Sequence, residues 1–374
     1  MAVVINGNGT VTGISVGGLP DGIVDSGTLA TNSVDSAELI DGAVDDSHMA
    51  SISGRKNILI NGNFDVWQRG TSFSDPSGET FTADRFFAVS GGATTGDTIS
   101  RQAFTTGQTD VPNNPTYFLR FSVGSTSSNR VMQYRIEDVR TGAGQTYTLS
   151  FWGKASTTHS STIEIQQNFG SGGSTPVTQS PVNYSLTTSW QKFTFNITMP
   201  SISGKTIGTS SYVYIAFIRS LPASSVDIDI AQMQFEKGSV ATDFEHRSFG
   251  EELALCQRYY EKSFNDDVAP ANGSSSTTTA SNDGMSAGLG SNNSGIGGSV
   301  DYKVTKRSNP TITKYGNNAG GWYYTPPTNQ ASGSWSTNSG YIDHSGVNGF
   351  NFKQNIAGDT LYIMFGHWTA DAEL

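Results

Sequence analysis

Asp227 and Asp229 stand two residues apart within the alternating segment Val226/Ile228/Ile230. On a strand both carboxylates fall on one face. Paired carboxylates are the groups that hydrolyse glycosidic bonds, although alternation by itself also places polar residues there. Gly13-Ile14-Ser15-Val16-Gly17 has the spacing of a nucleophile elbow, but the helix that such an elbow opens is absent from the pattern that follows. His48, His159, His246, His344 and His367 show no metal-ligand spacing, and neither a P-loop nor a dinucleotide fingerprint occurs. The single cysteine, Cys256, excludes an intrachain disulfide or a cysteine zinc cluster; it reads as a small buried hydrophobe. These groups do not make an enzyme, and none is expected.

Binding chemistry is better represented. Trp322, Tyr323, Tyr324, Trp335 and Tyr341 cluster near the C-terminus among Asn, Asp and Ser. Flat rings suit the apolar C–H faces of sugars, and polar neighbours suit their edges. These five are the expected glycan-binding residues. A β domain of this size also needs large side chains inside, so at least half the aromatics of the region are expected to be core.

The elements that must position these groups follow from composition. The chain has 374 residues, of which only 14% are charged, and Gly, Ser and Thr make up about a third. Aromatics reach 11%, which argues against disorder. The combination fits short strands joined by turns. A net charge of −10 argues against nucleic acid as a partner. The sequence has no apolar run long enough to cross a membrane and no signal-peptide pattern.

The first fifty residues carry a repeat. Ile14, Leu19, Val24, Leu29, Val34, Leu39, Val44 and Met49 recur every five positions, with Asp25, Asp35 and Asp45 directly after the valines. Five steps of a helix turn the side chain about 140°, so no stripe forms. An odd spacing on a strand alternates faces. One apolar residue in five cannot build a core within one chain, and repeats of this kind need neighbours. Several copies winding round one axis, with Leu19 to Met49 supplying the layers, are expected. Ahead of them, Met1–Gly18 reads as a β-hairpin turning at Asn6-Gly7-Asn8-Gly9.

From Asn57 to about Glu245 the pattern alternates: Tyr117/Leu119/Phe121, Tyr147/Leu149/Phe151, Phe193/Phe195/Ile197 and Val213/Ile215/Phe217. Many strands without a long helical pattern predict a two-sheet jelly-roll sandwich. Three stretches add a resemblance. They are Asn61-Gly62-Asn63-Phe64-Asp65 with Trp67-Gln68-Arg69-Gly70, then Phe151-Trp152-Gly153-Lys154, and finally Gln234-Phe235-Glu236 with Phe244. In this order they resemble the carbohydrate-binding-module-like jelly roll of bacteriophage tail fibres and receptor-binding proteins. The leader Gly17-Gly18-Leu19-Pro20-Asp21-Gly22 resembles tail-fibre shaft segments. The resemblance implies a virion protein made in the host cytoplasm. It also implies a structural Ca²⁺ shared by first and last strands, for which Asn63, Asp65, Asp229 and Glu236 are the oxygen donors in the matching regions. Otherwise no cofactor is expected.

Ser248 to Glu251 fits a capping box ahead of Leu253, Leu255 and Cys256, predicting one short helix. Residues 271–299 are nearly all Gly, Ser, Thr, Asn and Ala, a mobile loop or one ordered by subunit contacts. Strands are expected at Ser299–Val304, Thr311–Tyr315, Trp322–Thr325, Val347–Lys353 and Thr360–His367.

The expected organisation is all-β. Residues 1–20 form an attachment segment, 21–54 an intertwined repeat stalk, 55–247 the jelly roll, 248–262 a helical linker and 263–374 a C-terminal β tip. The expected assembly is a homotrimer joined to the phage tail or baseplate by its N-terminus and binding host surface polysaccharide through its distal β domains. Two alternatives stay open: a purely structural adaptor or baseplate spacer, and a polysaccharide-degrading tailspike.

Overall fold

The computed structural model describes residues 4–5, 11–12, 55–90, 96–124, 130–219, 225–266, 268–272, 285–287, 296–316, 322–325, 336–338, 340–354 and 363–374. The chain divides into two compact units, Met1–Gly54 and Arg55–Leu374. In the first, β1 (Val4–Ile5) pairs antiparallel with β2 (Val11–Thr12), Val4 opposite Thr12. This is the hairpin predicted around Asn6–Gly9. The repeat positions Leu19, Val24, Leu29, Val34, Leu39, Val44 and Met49 lie outside the described residues, as does most of the Gly/Ser-rich 271–299 segment.

The second unit opens with a sandwich. Its strands are β3 (Ser72–Ser74), β4 (Gly78–Phe81), β5 (Phe86–Ser90), β6 (Thr98–Ala103), β7 (Tyr117–Val123), β8 (Arg130–Glu137) and β9 (Thr146–Ala155), followed by β10 (His159–Asn168), β11 (Val177–Thr178), β12 (Val182–Leu186), β13 (Gln191–Thr198), β14 (Tyr212–Arg219) and β15 (Val226–Lys237). One sheet has the order β13-β9-β15-β7-β6-β3; the other runs β11-β10-β14-β8-β5-β4, with β12 also on β10. Most steps from one strand to the next cross between the sheets, while β4–β5, β6–β7 and β10–β11–β12 stay within one, and paired neighbours are antiparallel, the jelly-roll solution. Alternation places Leu119, Phe121, Leu149, Phe151, Ile228 and Ile230 from one sheet against Tyr134, Ile136, Ile165, Ile215 and Phe217 from the other, all buried. Each side chain of this size stabilises the fold by about 1.5–3 kcal/mol.

The motif around Asn61 is structural. Asn61 is fully buried at φ 62°, and its amide donates to the carbonyls of Val66 (2.8 Å) and Asp84 (3.0 Å). A Cβ on Gly62 would lie 2.1 Å from the carbonyl oxygen of Met233, so only glycine fits between this turn and β15.

After the sandwich comes α1 (Phe249–Gln257), capped by Ser248 Oγ, which accepts from Glu251 N at 3.3 Å. Then follow β16 (Tyr260–Lys262), β17 (Met285–Ala287), β18 (Ile296–Asp301), β19 (Thr311–Tyr315), β20 (Trp322–Thr325), β21 (Ser336–Asn338), β22 (Tyr341–Ser345), β23 (Gly349–Gln354) and β24 (Ile363–Asp371). β24 is the hub, pairing with β16, β17, β19 and β20; β23 joins β18 to β22. A second core of Tyr302, Trp322, Phe350, Phe352, Met364, Trp368 and Ala370 fills this part.

Charged residues join the two cores. Arg69 and Arg85 lie over the rings of Tyr260 (3.6 Å) and Tyr259 (3.5 Å). Arg85 pairs with Glu373, and Arg69 Nη2 reaches Asp371 (3.2 Å) and Glu373 (3.3 Å). Among the described residues no helix is long and apolar enough to cross a membrane.

Candidate functional site

The outward face of the six-stranded sheet brings aromatic, amide and ammonium side chains together around a groove. The alternation that sends Phe151 inward turns Trp152 outward, together with Thr148, Ser150 and Lys154 on β9. Opposite Trp152 stand Lys192 on β13 and Ala231 on β15. Extending the Leu119–Ile230 register by one residue places Phe118 of β7 beside Ala231, two strand spacings or about 10 Å from Trp152.

A groove of about 180 Å³ opens over this face. Its floor is Ser150, Trp152, Lys192 and Gln232, and its walls are Pro112 and Asn113 on one side and Thr242, Asp243 and Phe244 on the other. Trp152 and Phe244 are both half-buried, so each presents ring surface to the groove. Gln232 occupies a β-bulge: the β15–β9 register slips between Ala231 and Gln234, and Gln232 sits at φ 48°. The bulge re-aims the side chain, whose amide donates to the Pro112 carbonyl at 2.9 Å and ties the groove wall to its floor. Lys192 Nζ donates to the Thr242 carbonyl at 3.2 Å, fixing the other wall.

Alongside lies an aromatic island separate from the sandwich core. Trp190 contacts Phe104 (5.3 Å between ring centres) and Phe118 (5.4 Å), and Lys154 Nζ stands 5.1 Å from the Trp190 ring. The next row is polar. Arg120 donates through Nε and Nη2 to the two oxygens of Asp229 at 2.7 and 2.8 Å, and Lys154 adds a contact at 3.7 Å. The carboxylate raises the Arg120 pKa above its ordinary value. Flat ring surface, amide and ammonium groups on one rigid sheet can stack on a pyranose face and bond its hydroxyls.

Of the residues singled out from sequence, Trp322 and Tyr341 fall elsewhere. Trp322 is 1% exposed; its Nε1 donates to the His367 carbonyl at 3.0 Å and its ring packs on Phe352. It is a core residue and offers no surface to a sugar, because β20 is covered on the side that Trp322 faces. Tyr323 and Tyr324 pair in the backbone with Phe365 and Met364, and their side chains lie outside the described parts, as does all of Trp335. Tyr341 opens β22 and is 40% exposed.

The four oxygen donors considered for Ca²⁺ do not converge. Asn63 Nδ2 donates to Asp65 Oδ2 at 2.9 Å, and burial raises the Asp65 pKa. Asp229 is engaged by Arg120. Glu236 lies seven residues further along β15, roughly 20 Å away. It accepts from Thr242 N (2.9 Å), Thr242 Oγ1 (2.6 Å) and Gln234 Nε2 (2.8 Å). No group of three or more His, Cys, Asp or Glu suited to a metal ion occurs among the described residues.

The groove residues Trp152, Gln232, Lys192 and Phe244 are not among those that the sequence picks out as glycan-binding. A Trp set among the polar positions of an otherwise regular strand was the available signal for the first; the bulge and the loop carrying Phe244 leave no periodic trace.

Residues 56–215 match the family model described as "Carbohydrate binding domain". No curated protein matches the chain. Among solved structures, a CBM4 module is 19% identical with a TM-score of 0.31, covering 48% of this chain and 98% of its own. A family 11 carbohydrate-binding module from Clostridium thermocellum, solved with a mixed-linked tetrasaccharide, is 14% identical with a TM-score of 0.29, covering 45% and 99%. The enzymatically active domain of bacteriophage CBA120 tailspike protein 4 is 14% identical with a TM-score of 0.30; the match covers 49% of this chain but only 21% of that one.

Proposed function

We propose that the sandwich binds a glycan in the groove over Trp152, and that the chain is a non-catalytic, receptor-binding tail-fibre protein of a bacteriophage. The observation that carries the first part is one face of a rigid sheet bearing Trp152, Phe244, Gln232 and Lys192 around a groove, within a module whose family model describes carbohydrate binding.

The virion setting rests on sequence: the period-five series ahead of Arg55 and the shaft-like leader. In this reading the N-terminal hairpin attaches to the tail or baseplate. The repeats assemble three copies into a stalk, and each copy presents one sandwich to the host surface. Binding at one groove is weak and gains strength from three copies per fibre and several fibres per particle.

The test is a glycan array probed with the full chain and with Trp152→Ala. Host-surface polysaccharide bound by the wild type and weakened about tenfold or more by the variant is the expected result. Undiminished binding by a folded Trp152→Ala chain moves the site elsewhere, and silence from a folded wild type across host glycans rejects glycan binding. Immunogold labelling of virions at the tail checks the second part.

A further inference from the structure

A second cavity opens where β8 ends and β14 begins, in the sheet opposite the one that bears the Trp152 groove. Its volume is about 280 Å³, near the lower end for small-molecule sites. That size suits one sugar unit rather than a chain. Two loops and one residue of the C-terminal part line it. The turn after β8 is closed by Thr141 N donating to the Asp138 carbonyl at 3.0 Å, with Asp138 at φ 67°. The loop before β14 is tied to this turn: Asp138 N donates to the Ser211 carbonyl at 3.0 Å, and Val139 N to Ser211 Oγ at 3.3 Å. The cavity is thus formed before any ligand arrives, which lowers the cost of binding. Ser211 Oγ accepts that one bond and keeps its own proton to donate.

The charges decide what fits. Glu137 is occupied: it accepts from Arg258 Nη2 and from Tyr259 Oη, both at 2.9 Å. Asp138 is occupied by Arg140 Nη1 at 3.0 Å. Arg307 differs. Its Nε and Nη2 donate to the carbonyls of Ala372 and Glu373, both at 3.0 Å. Carbonyls fix the guanidinium without neutralising it, and among the described residues Arg307 forms no ion pair. Burial lowers its pKa, partly offset by nearby Glu137, yet a guanidinium stays charged. With the Nε–Nη2 side taken, the Nη1–Nη2 end still offers two parallel N–H groups, the fork that matches the two oxygens of a carboxylate. In a chain of net charge −10, this is a half-buried cation left for a ligand. Half-buried Ile207 in the same lining offers apolar surface for the C–H face of a ring, and Ser210 and Ser211 offer hydroxyls for its edge. Arg307 lies outside the residues 56–215 that the family model matches, so the module does not carry this site by itself.

We infer that this cavity binds one carboxylate-bearing sugar unit, a uronic acid, with the carboxylate on Arg307 and the ring hydroxyls on Ser210, Ser211 and the Asp138–Arg140 pair. That the carboxylate arrives on a sugar rests on the glycan reading above; that the cavity takes a carboxylate rests on Arg307 alone.

The experiment titrates the full chain with sodium glucuronate, with glucose and with inorganic phosphate, read by saturation-transfer NMR and calorimetry at low salt. Wild type is compared with Arg307→Lys, Ile207→Asp and Trp152→Ala, each checked by its melting curve. Ile207→Asp places a carboxylate in the cavity and leaves the carbonyl bonds of Arg307 intact, so it carries the test even where Arg307→Lys fails to fold. Glucuronate is expected to bind, with glucose and phosphate weaker by about tenfold or more. Arg307→Lys and Ile207→Asp should each weaken glucuronate about tenfold or more, added salt should weaken it further, and Trp152→Ala should leave it unchanged. A folded wild type that does not bind glucuronate overturns this inference; host polysaccharide still bound through Trp152 would then leave the glycan reading standing. Glucuronate binding lost in Trp152→Ala, or kept in Ile207→Asp, places the ligand elsewhere and overturns it too. Phosphate bound as tightly as glucuronate makes the cavity a general oxyanion site and overturns the sugar assignment. Glucuronate bound and then lost in Ile207→Asp, with no host polysaccharide bound by the wild type, upholds the carboxylate site and rejects the host-glycan reading.

Discussion

Trp152 and Trp322 are both strand tryptophans, and their surroundings give them opposite roles. Trp322 is enclosed by Phe352, Met364 and the rest of the second core. Trp322→Ala should leave a cavity and cost about 3–5 kcal/mol, read from denaturant unfolding, with glycan affinity unchanged. Trp152 is half-buried on the sheet's outer face. Trp152→Ala should cost less than about 1 kcal/mol in the same measurement, while weakening the proposed glycan binding about tenfold or more. A reversal of this pattern would return the binding site to the C-terminal strands. Asp84 offers a test by pH. It is 1% exposed, accepts from Gln68 N at 2.9 Å and Gln68 Nε2 at 2.5 Å, and burial pushes its pKa from 3.8 up to about 6. Between those values the folded chain holds the proton more firmly than the unfolded chain. The stabilisation is therefore full below about pH 4 and is lost as the pH rises through about 6, by at most about 3 kcal/mol. Asp84→Asn removes the titration. The stability difference between wild type and variant should decline across that window and stay level outside it; a difference independent of pH would contradict the assignment.

At the scale of elements, α1 depends on its start. Ser248 Oγ accepts from Glu251 N, and the first turn is acidic through Glu251 and Glu252, both favourable at a helix N-terminus. Ser248→Ala should cost about 1 kcal/mol, measurable by urea unfolding; no loss would mean that the ion pairs of Arg55 with Glu251 and of Arg247 with Glu252 alone hold the turn. The capping box made this helix readable from sequence. Alternation did the same for the sandwich strands, because a half-buried sheet imposes period two on its side chains. Thr311–Tyr315 and Trp322–Thr325 were legible to the residue, whereas β16, only three residues directly after a helix, has too few positions to show a period. The groove was legible only in part. Trp152 breaks the polar side of a regular strand. Gln232, by contrast, reaches its place through a bulge, and Phe244 through a loop fixed by Glu236 and Gln234. Both depend on contacts distant in sequence. The Asn61-Gly62-Asn63 stretch stood out as a motif, yet its reason, the 2.1 Å approach of any Cβ to Met233, belongs to the folded chain alone.

At the scale of the whole second unit, the question is whether the sandwich and the β24-centred sheets unfold together. Their cores are separate sets of side chains, so apolar packing alone would let one melt without the other. The link is polar and buried. Arg85 is 1% exposed and Glu373 nearly enclosed, and the two pair directly. Arg85 Nη2 also donates to the Arg135 carbonyl at 2.5 Å, and the Tyr259 ring covers the guanidinium. Ala372 N donates to the Tyr259 carbonyl at 2.7 Å, drawing the residues after β24 onto the segment after α1. Removing one partner of such a pair strands a charge that cannot recover its water, which costs about 3–5 kcal/mol. Glu373→Ala should therefore lower stability by that amount. It should also split one calorimetric transition for residues 55–374 into two, the β24-centred part melting first because its core is the smaller. Arg85→Met with Glu373→Leu, which replaces both charges by apolar side chains, should restore much of the loss and the single transition. A Glu373→Ala chain that still melts in one step within about 1 kcal/mol of wild type would show instead that the aromatic contacts of Tyr259 and Tyr260 carry the coupling.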